Sequence, residues 1–245
     1  MHRSVPLIAI SILLLGLAGG IYKVHFPPGP IGDEPAYVMM AESLWHDHDL
    51  AYDHRDLLRG YRLWDQGPNG VILFTADGGK SMFYGKPYIY PLASLPFYAV
   101  FGIQGLVVFN MALFLAMFWG AVWWWRQESG HVALFLGGFF FASVSFAYVF
   151  WMQPEVFNMA CLFFAVLIWL HLRRFAQWSP RQSALMAIAG VLIACAYISK
   201  EPTVLLGGPI ALDLLWQRRF KGFLAFAAPA LLGLAFLFLL QRHET

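Results

Sequence analysis

Residues 103–125 read IQGLVVFNMALFLAMFWGAVWWW, a stretch without a charged side chain. About 20 such residues, folded as an α-helix, are long enough to cross the hydrocarbon core of a bilayer. The whole chain shares this character, because 60% of its 245 residues are hydrophobic and only 12% are charged. A water-soluble fold could not bury that much apolar surface. The sequence therefore predicts an all-α, multi-pass membrane protein.

Further apolar runs lie on both sides of this stretch, separated by short polar clusters. Together they predict about seven transmembrane helices in one module over residues 1–245, at about 5–22, 103–125, 131–150, 156–172, 183–198, 203–216 and 223–240. Leu92–Phe101 is too short to cross the membrane and contains Pro96, so we expect a half-helix that leads into the second span. The first run also resembles a signal peptide, but its length favours a retained anchor.

The basic residues of the short loops predict the orientation of the chain. Alternating spans place on one face Arg3, Arg126, Arg173, Arg174, Arg181, Arg218, Arg219 and Lys221. Cytoplasmic loops are enriched in Lys and Arg, so this face, with the amino terminus, is expected to be cytoplasmic. Segment 23–91 is then expected on the extracytoplasmic side, together with Glu155, Lys200 and Glu201. The net charge of +2 is too small and too dispersed to favour a nucleic acid as partner.

Segment 23–91 is the only long polar region of the sequence, and a connection of this length usually carries function. Its residues Pro35–Trp45 predict an amphipathic helix in the membrane interface, because proline suits a first helical turn. In that helix Val38, Met39, Met40, Leu44 and Trp45 would face lipid, with Glu42 and Ser43 outward. Asp33 and Glu34 then stand at the helix start, where carboxylates are also favourable as caps. Capping and a functional role both stay open.

Two other clusters in the outer segment have ligand-binding chemistry. Histidine and aspartate are dense over residues 46–56, which suits a Zn or Mn site, although sequence neighbours rarely converge on one ion. A solvated acidic turn is therefore the favoured interpretation. Lys86 stands in the aromatic, proline-rich segment Tyr84–Pro91. It is either an interfacial lysine that reaches toward water or a cation for a lipid phosphate at headgroup depth.

Taken in order, these pieces resemble one family of membrane enzymes. Gly32-Asp33-Glu34-Pro35-Ala36-Tyr37, followed by Ser43-Leu44-Trp45-His46-Asp47, is similar to the first outer loop of C-type (GT-C fold) glycosyltransferases. These enzymes, which include protein mannosyltransferases and aminoarabinose transferases, use polyprenyl-phosphate-linked sugars. The likeness continues through Lys86-Pro87, Tyr90-Pro91-Leu92, Leu95-Pro96, Gln153-Pro154-Glu155 and Ser199-Lys200-Glu201-Pro202. It therefore covers most of the chain.

The resemblance implies an inverting transfer of a sugar from a polyprenyl-phosphate donor to an extracytoplasmic lipid, glycan or protein. It implies that Asp33 is the general base and that Glu34 orients Asp33 or holds the acceptor. The residues implied to bind substrate are Tyr37, Lys86, Glu155, Lys200 and Glu201. A divalent Mg or Mn ion at Asp33 and Glu155 is a further expectation.

Two other functions fit the same sequence. A catalytically silent subunit that binds the carrier lipid or acts as a scaffold would share the fold and tolerate the loss of Asp33. A transporter or flippase would need ionisable groups near the middle of the bilayer, whereas Asp213 lies near the inner end of its span. Relatives in the resembling family have further spans, so we expect either a missing C-terminal half or a partner chain that completes the acceptor site.

Overall fold

The computed structural model describes residues 5–25, 32–64, 70–76, 78–125, 131–175 and 178–243, and it confirms an all-α protein. Its elements in chain order are α1 Val5–His25, α2 Glu34–His46, α3 His54–Trp64, β1 Leu73–Ala76, β2 Ser81–Tyr84, α4 Ile89–Phe101, α5 Gln104–Trp125, α6 Val132–Phe141, α7 Val144–Ala147, α8 Glu155–Arg173, α9 Pro180–Ser199, α10 Gly208–Trp216 and α11 Phe220–His243. The chain divides into two compact units, Met1–Val156 and Phe157–Thr245. Helix α8 begins in the first unit and continues in the second.

Long apolar helices identify the chain as a membrane protein. Within the described ranges, three helices are long and apolar enough to cross a bilayer, namely α5, α8 and α9. Helix α6 and the segment Val144–Phe150 add a fourth if they form one broken span, bent by 63°. The predicted spans 103–125, 156–172 and 183–198 therefore coincide with long helices, and the predicted span 131–150 coincides with the bent pair.

The predicted spans 5–22 and 223–240 fall within single helices, α1 with 21 residues and α11 with 24. The predicted span 203–216 is interrupted, because residues 203–207 end a 3₁₀ helix, Glu201–Gly207, and the 9 residues of α10 follow. The new helix starts at Gly208-Pro209, where proline suits the first turn because its nitrogen has no hydrogen to donate. The predicted number of spans is thus confirmed only in part.

Helix α5 is the centre of the first unit. Helix α1 packs against it in the opposite direction, and two hydrogen bonds join them. The Gln104 amide donates to the carbonyl of Ala18, and Trp119 Nε1 donates to Ser11 Oγ at 3.1 Å. Polar contacts of this kind hold helices together where no water competes for them.

Helix α2 confirms the predicted helix at Pro35–Trp45, but the predicted exposure is wrong for most of its residues. Residues 34–43 are all buried by protein, so Val38, Met39 and Met40 do not face lipid, and Glu42 and Ser43 do not face water. The reason is α4, which packs along α2. Its Tyr98 hydroxyl donates to Glu42 Oε1 at 2.5 Å. A carboxylate can be buried when it has such a partner.

The predicted solvated acidic turn at residues 46–56 holds only in part. Asp49 and Asp53 are partly exposed, whereas Asp47 and Asp56 are buried in an ion-pair network. Arg59 on α3 donates to Asp56 Oδ1 at 2.5 Å and also to Asp47 Oδ2. The hydrogen bond from Arg59 lowers the pKa of Asp47. Among the residues that the structure describes, no group of three or more His, Cys, Asp or Glu side chains could hold a metal. The aspartates bind arginines, and the alternative of a Zn or Mn site is unsupported.

The second unit packs around α9 and α11. At their crossing, a Cβ on Gly190 would collide with the backbone of Phe226, so the two helices approach as closely as a glycine allows. The buried core consists of Ala165, Leu172, Met186, Ala189, Ile193, Ile210, Leu214 and Phe226. Asp213 accepts hydrogen bonds from Trp169 Nε1 at 2.8 Å and lies 3.2 Å from Arg173. These contacts give Asp213 a structural role in this unit.

Replacing Gly105 by alanine should destabilise the first unit. A Cβ at this position would overlap the backbone carbonyl of Phe97, where α4 turns into α5. Overpacking of this kind lowers the free energy of unfolding by about 1–3 kcal/mol. Thermal unfolding in detergent measures the change. Gly137→Ala on α6 is the matched control, because its Cβ would meet no atom within 4 Å among the described residues. Equal stability of the two variants would contradict the packing at Gly105.

Candidate functional site

Asp33 lies immediately before α2, yet its side chain forms no capping hydrogen bond. Its Oδ2 instead accepts a hydrogen bond from Lys86 Nζ at 2.7 Å. The two residues are 53 positions apart, so only the tertiary fold brings them together. Both side chains stay accessible, with 43% of Asp33 and 22% of Lys86 exposed. Asp33 therefore occupies the N-cap position without capping through its side chain, and the pair forms an accessible anion and cation in contact.

A β-hairpin delivers Lys86 to Asp33. Strands β1 and β2 pair antiparallel from Leu73 opposite Tyr84 to Ala76 opposite Ser81. The sequence signal for this hairpin is the dipeptide Gly78-Gly79, whose φ angles of 66° and 95° glycine adopts without strain. The sequence analysis did not predict this hairpin.

The end of the hairpin is fixed by pairing between its strands and by a contact on its outer edge. The Gly85 N–H donates to the Ile72 carbonyl at 2.8 Å, and a Cβ at Gly85 would lie 2.9 Å from Ile72 Cγ2. On the opposite edge, Tyr52 N–H donates to the Met82 carbonyl at 2.7 Å. Lys86 follows directly, so its backbone starts from a defined position.

The turn at residues 151–154 is tied to α2 and α5. Glu34 is only 2% exposed, and its Oε1 accepts a hydrogen bond from the backbone N–H of Met152 at 3.1 Å. Asn110 Nδ2 donates to the carbonyl of Trp151 at 2.7 Å. Both contacts hold the start of α8, and hence Glu155, against the outer segment. Glu34 and Asn110 are thus positioning residues, and the sequence analysis missed Asn110 in this role.

Tyr37 is buried in helix α2. Its ring packs edge-on against Tyr90, with 5.6 Å between ring centroids. Burial, followed by the negative charges of Asp33 and Glu155, raises the pKa of Tyr37. The phenol therefore stays neutral, and both carboxylates are close enough to influence it. The structure thus brings together five predicted residues: Asp33, Glu34, Tyr37, Lys86 and Glu155.

Lys200 and Glu201 belong to the second unit. Lys200 directly follows α9, and Glu201 begins the 3₁₀ helix after it, with both residues exposed. Thr203 Oγ1 donates to the carbonyl of Lys200 at 2.7 Å, which fixes the backbone of this turn. Participation of these two residues in the site stays a prediction.

The divalent metal expected at Asp33 and Glu155 stays a prediction. Over the ranges that the structure describes, no three potential ligand side chains converge, and the charge beside Asp33 is the ammonium of Lys86. A Mg or Mn ion held by these two carboxylates would take its remaining oxygen ligands from water and a substrate phosphate.

No family model, no curated protein and no solved structure matches this chain. The ground for a function is therefore the chemistry of the site itself. That chemistry is an accessible carboxylate in contact with an accessible ammonium. The buried residues Glu34 and Tyr37 follow in the same helix, α2.

Replacing Glu34 by alanine should lower stability, because the buried N–H of Met152 would lose the acceptor that it has in the structure. An unsatisfied buried donor costs about 1–3 kcal/mol. Glu34→Gln keeps an acceptor oxygen at the same place and should lose less. Thermal unfolding in detergent compares the two. Wild-type stability of Glu34→Ala would contradict the positioning role.

Proposed function

We propose that this chain is the membrane module of an inverting glycosyltransferase that moves a sugar from a polyprenyl-phosphate donor to an extracytoplasmic acceptor. The contact between Asp33 and Lys86 is the observation that carries the proposal. A general base must reach a substrate hydroxyl, and a cation for a leaving phosphate must reach the phosphate. Both groups are partly exposed at one point, as this reaction requires.

The reaction is a single displacement. The acceptor oxygen forms a bond to the anomeric carbon as the bond from that carbon to the phosphate oxygen breaks. Asp33 takes the proton of the acceptor hydroxyl, and the polyprenyl phosphate leaves with the electron pair. The anomeric centre is inverted, and one carboxylate suffices, because no covalent intermediate is formed on a second one.

Lys86 serves two partners in turn. In the free protein its ammonium contacts the Asp33 carboxylate. A phosphate that arrives with the donor competes for the same ammonium. As Lys86 turns to the phosphate, the Asp33 carboxylate is released to the acceptor hydroxyl. Donor binding thereby frees the base only when a sugar is in place.

The remaining predicted residues complete the site. Tyr37 is buried and neutral beside Asp33, so it can hydrogen-bond the sugar without a charge of its own. Glu155 positions the sugar from the start of α8. Lys200 and Glu201 stay candidates for substrate binding on the ground of the sequence resemblance.

Seven spans and a cytoplasmic amino terminus form part of the same proposal. This topology places segment 23–91 in the periplasm of a bacterial inner membrane, where a polyprenyl-linked sugar would meet its acceptor. The donor tail would lie along apolar grooves between the helices, which accounts for the membrane location. The GT-C resemblance carries the same proposal at the level of family.

Asp33→Asn should reduce sugar transfer by about 10²–10⁴-fold, because an amide cannot accept the proton. The measurement is transfer of labelled sugar from a polyprenyl-phosphate donor in membranes that contain the full chain. Asp53→Asn is a closely matched control. The Asp53 side chain is 42% exposed and lies 2.7 Å from Arg55, so exposure and ion pairing resemble those of Asp33. Equal transfer by wild type and Asp33→Asn would favour a silent subunit that binds the carrier lipid.

Lys86→Gln should lower kcat by about 10²–10³-fold, because the leaving phosphate loses its cation. The KM for the donor should rise as well, and Lys86→Arg should recover part of both. Steady-state kinetics with the same donor gives the two constants. Lys80→Gln removes an equal charge from the exposed hairpin turn and should leave both constants unchanged. Equal losses in the two glutamine variants would indicate general charge steering instead.

A further inference from the structure

Helix α3 has an apolar face that protein covers only in part. The residues Leu57, Leu58, Tyr61 and Trp64 follow helical spacing and lie on one side. Of these, Leu58 and Tyr61 are exposed, Tyr61 by 50%. Trp45, near the end of α2, is exposed as well. Aromatic and leucine side chains on an amphipathic helix are typical of the interface between lipid headgroups and acyl chains.

A pocket of about 450 Å³ lies between the end of α2 and helix α3. Its lining combines cationic and apolar side chains: His46, Arg55, Arg59, Arg62, Leu58 and Leu63. Glu42 is the acidic residue of this lining, and its carboxylate already accepts a hydrogen bond from Tyr98 and lies 3.6 Å from His46. A pocket with this lining suits a ligand with both a negative charge and an apolar part.

The three arginines differ in how far their charge is compensated. Arg59 binds Asp47 and Asp56. Arg55 pairs with Asp53 at 2.7 Å and with Asp47 at 3.0 Å, yet 59% of its side chain stays exposed. Within the part of the chain that the structure describes, Arg62 forms no salt bridge. Arg62 is therefore an uncompensated cation at the pocket, with Arg55 beside it.

We propose that this pocket binds the phosphate of an anionic bilayer lipid. Arg62 and the exposed edge of Arg55 hold the phosphate, since a guanidinium donates two parallel hydrogen bonds to phosphate oxygens. Leu58 and Tyr61 contact the glycerol and the first carbons of the acyl chains. A soluble phosphate has no apolar part for these exposed side chains, whereas a lipid has. The site is separate from Asp33 and Lys86, and it does not depend on sugar transfer.

The full chain is reconstituted into liposomes that contain diazirine-labelled phosphatidylglycerol or diazirine-labelled phosphatidylcholine. After illumination, mass spectrometry of digested protein measures the labelling of residues 54–64. Phosphatidylglycerol should label this peptide more than phosphatidylcholine does. Arg62→Gln should reduce the phosphatidylglycerol labelling about fivefold, as expected for one cation near an anionic surface. Arg62→Lys should keep most of the labelling, and Lys80→Gln should leave it unchanged.

Three results would overturn the proposal. Equal labelling by both lipids, unaffected by Arg62→Gln, would mean that α3 touches lipid without recognising the headgroup. Suppression of labelling by excess inorganic phosphate would assign the pocket to a soluble anion. Absence of label on residues 54–64 with either lipid would mean that something other than the bilayer covers this face.

Discussion

The outer segment of this protein is organised by the need to satisfy the buried polar groups of α2. A buried carboxylate requires hydrogen-bond partners, and Glu34 finds one in the backbone N–H of Met152. Glu42, two turns later, finds one in the hydroxyl of Tyr98. The first bond fixes the turn before α8, and the second fixes α4. Two side chains of one short helix thereby place the elements that surround Asp33.

The pair of Asp33 and Lys86 has a different character. Accessible ion pairs contribute only about 0–1 kcal/mol to stability, because water already solvates both charges. The fold around the pair does not need this contact, since the hairpin and the turn at residues 151–154 are held by their own hydrogen bonds. A contact that is weak and accessible can be exchanged for a ligand without disturbing its surroundings. Other hydrogen bonds hold the surroundings in place, so the ion pair itself is available to bind a ligand.

Sequence reasoning succeeded where the signal is local and failed where contacts are distant in sequence. The helices α5, α8 and α9 follow from uncharged apolar runs, and α2 from Pro35 and its neighbours. The burial of α2 could not be predicted, because the helix that covers it, α4, is distant in sequence. Tyr98, for example, lies 56 residues after its partner Glu42. The contact of Asp33 with Lys86 has the same origin. Only the hairpin had a local signal, Gly78-Gly79, that was overlooked.

The break between α6 and α7 has a consequence for what surrounds it. Where the helix is bent by 63°, carbonyl groups lose their helical donors, and in a membrane lipid cannot supply replacements. Ser143 Oγ donates to the Phe140 carbonyl at 2.9 Å and so replaces one of the lost donors. The ring of Phe114 on α5 lies 5.5 Å from that of Phe140 and 5.6 Å from that of Phe146. Phe114 thus packs against residues on both sides of the bend, so α5 helps to support the bent conformation.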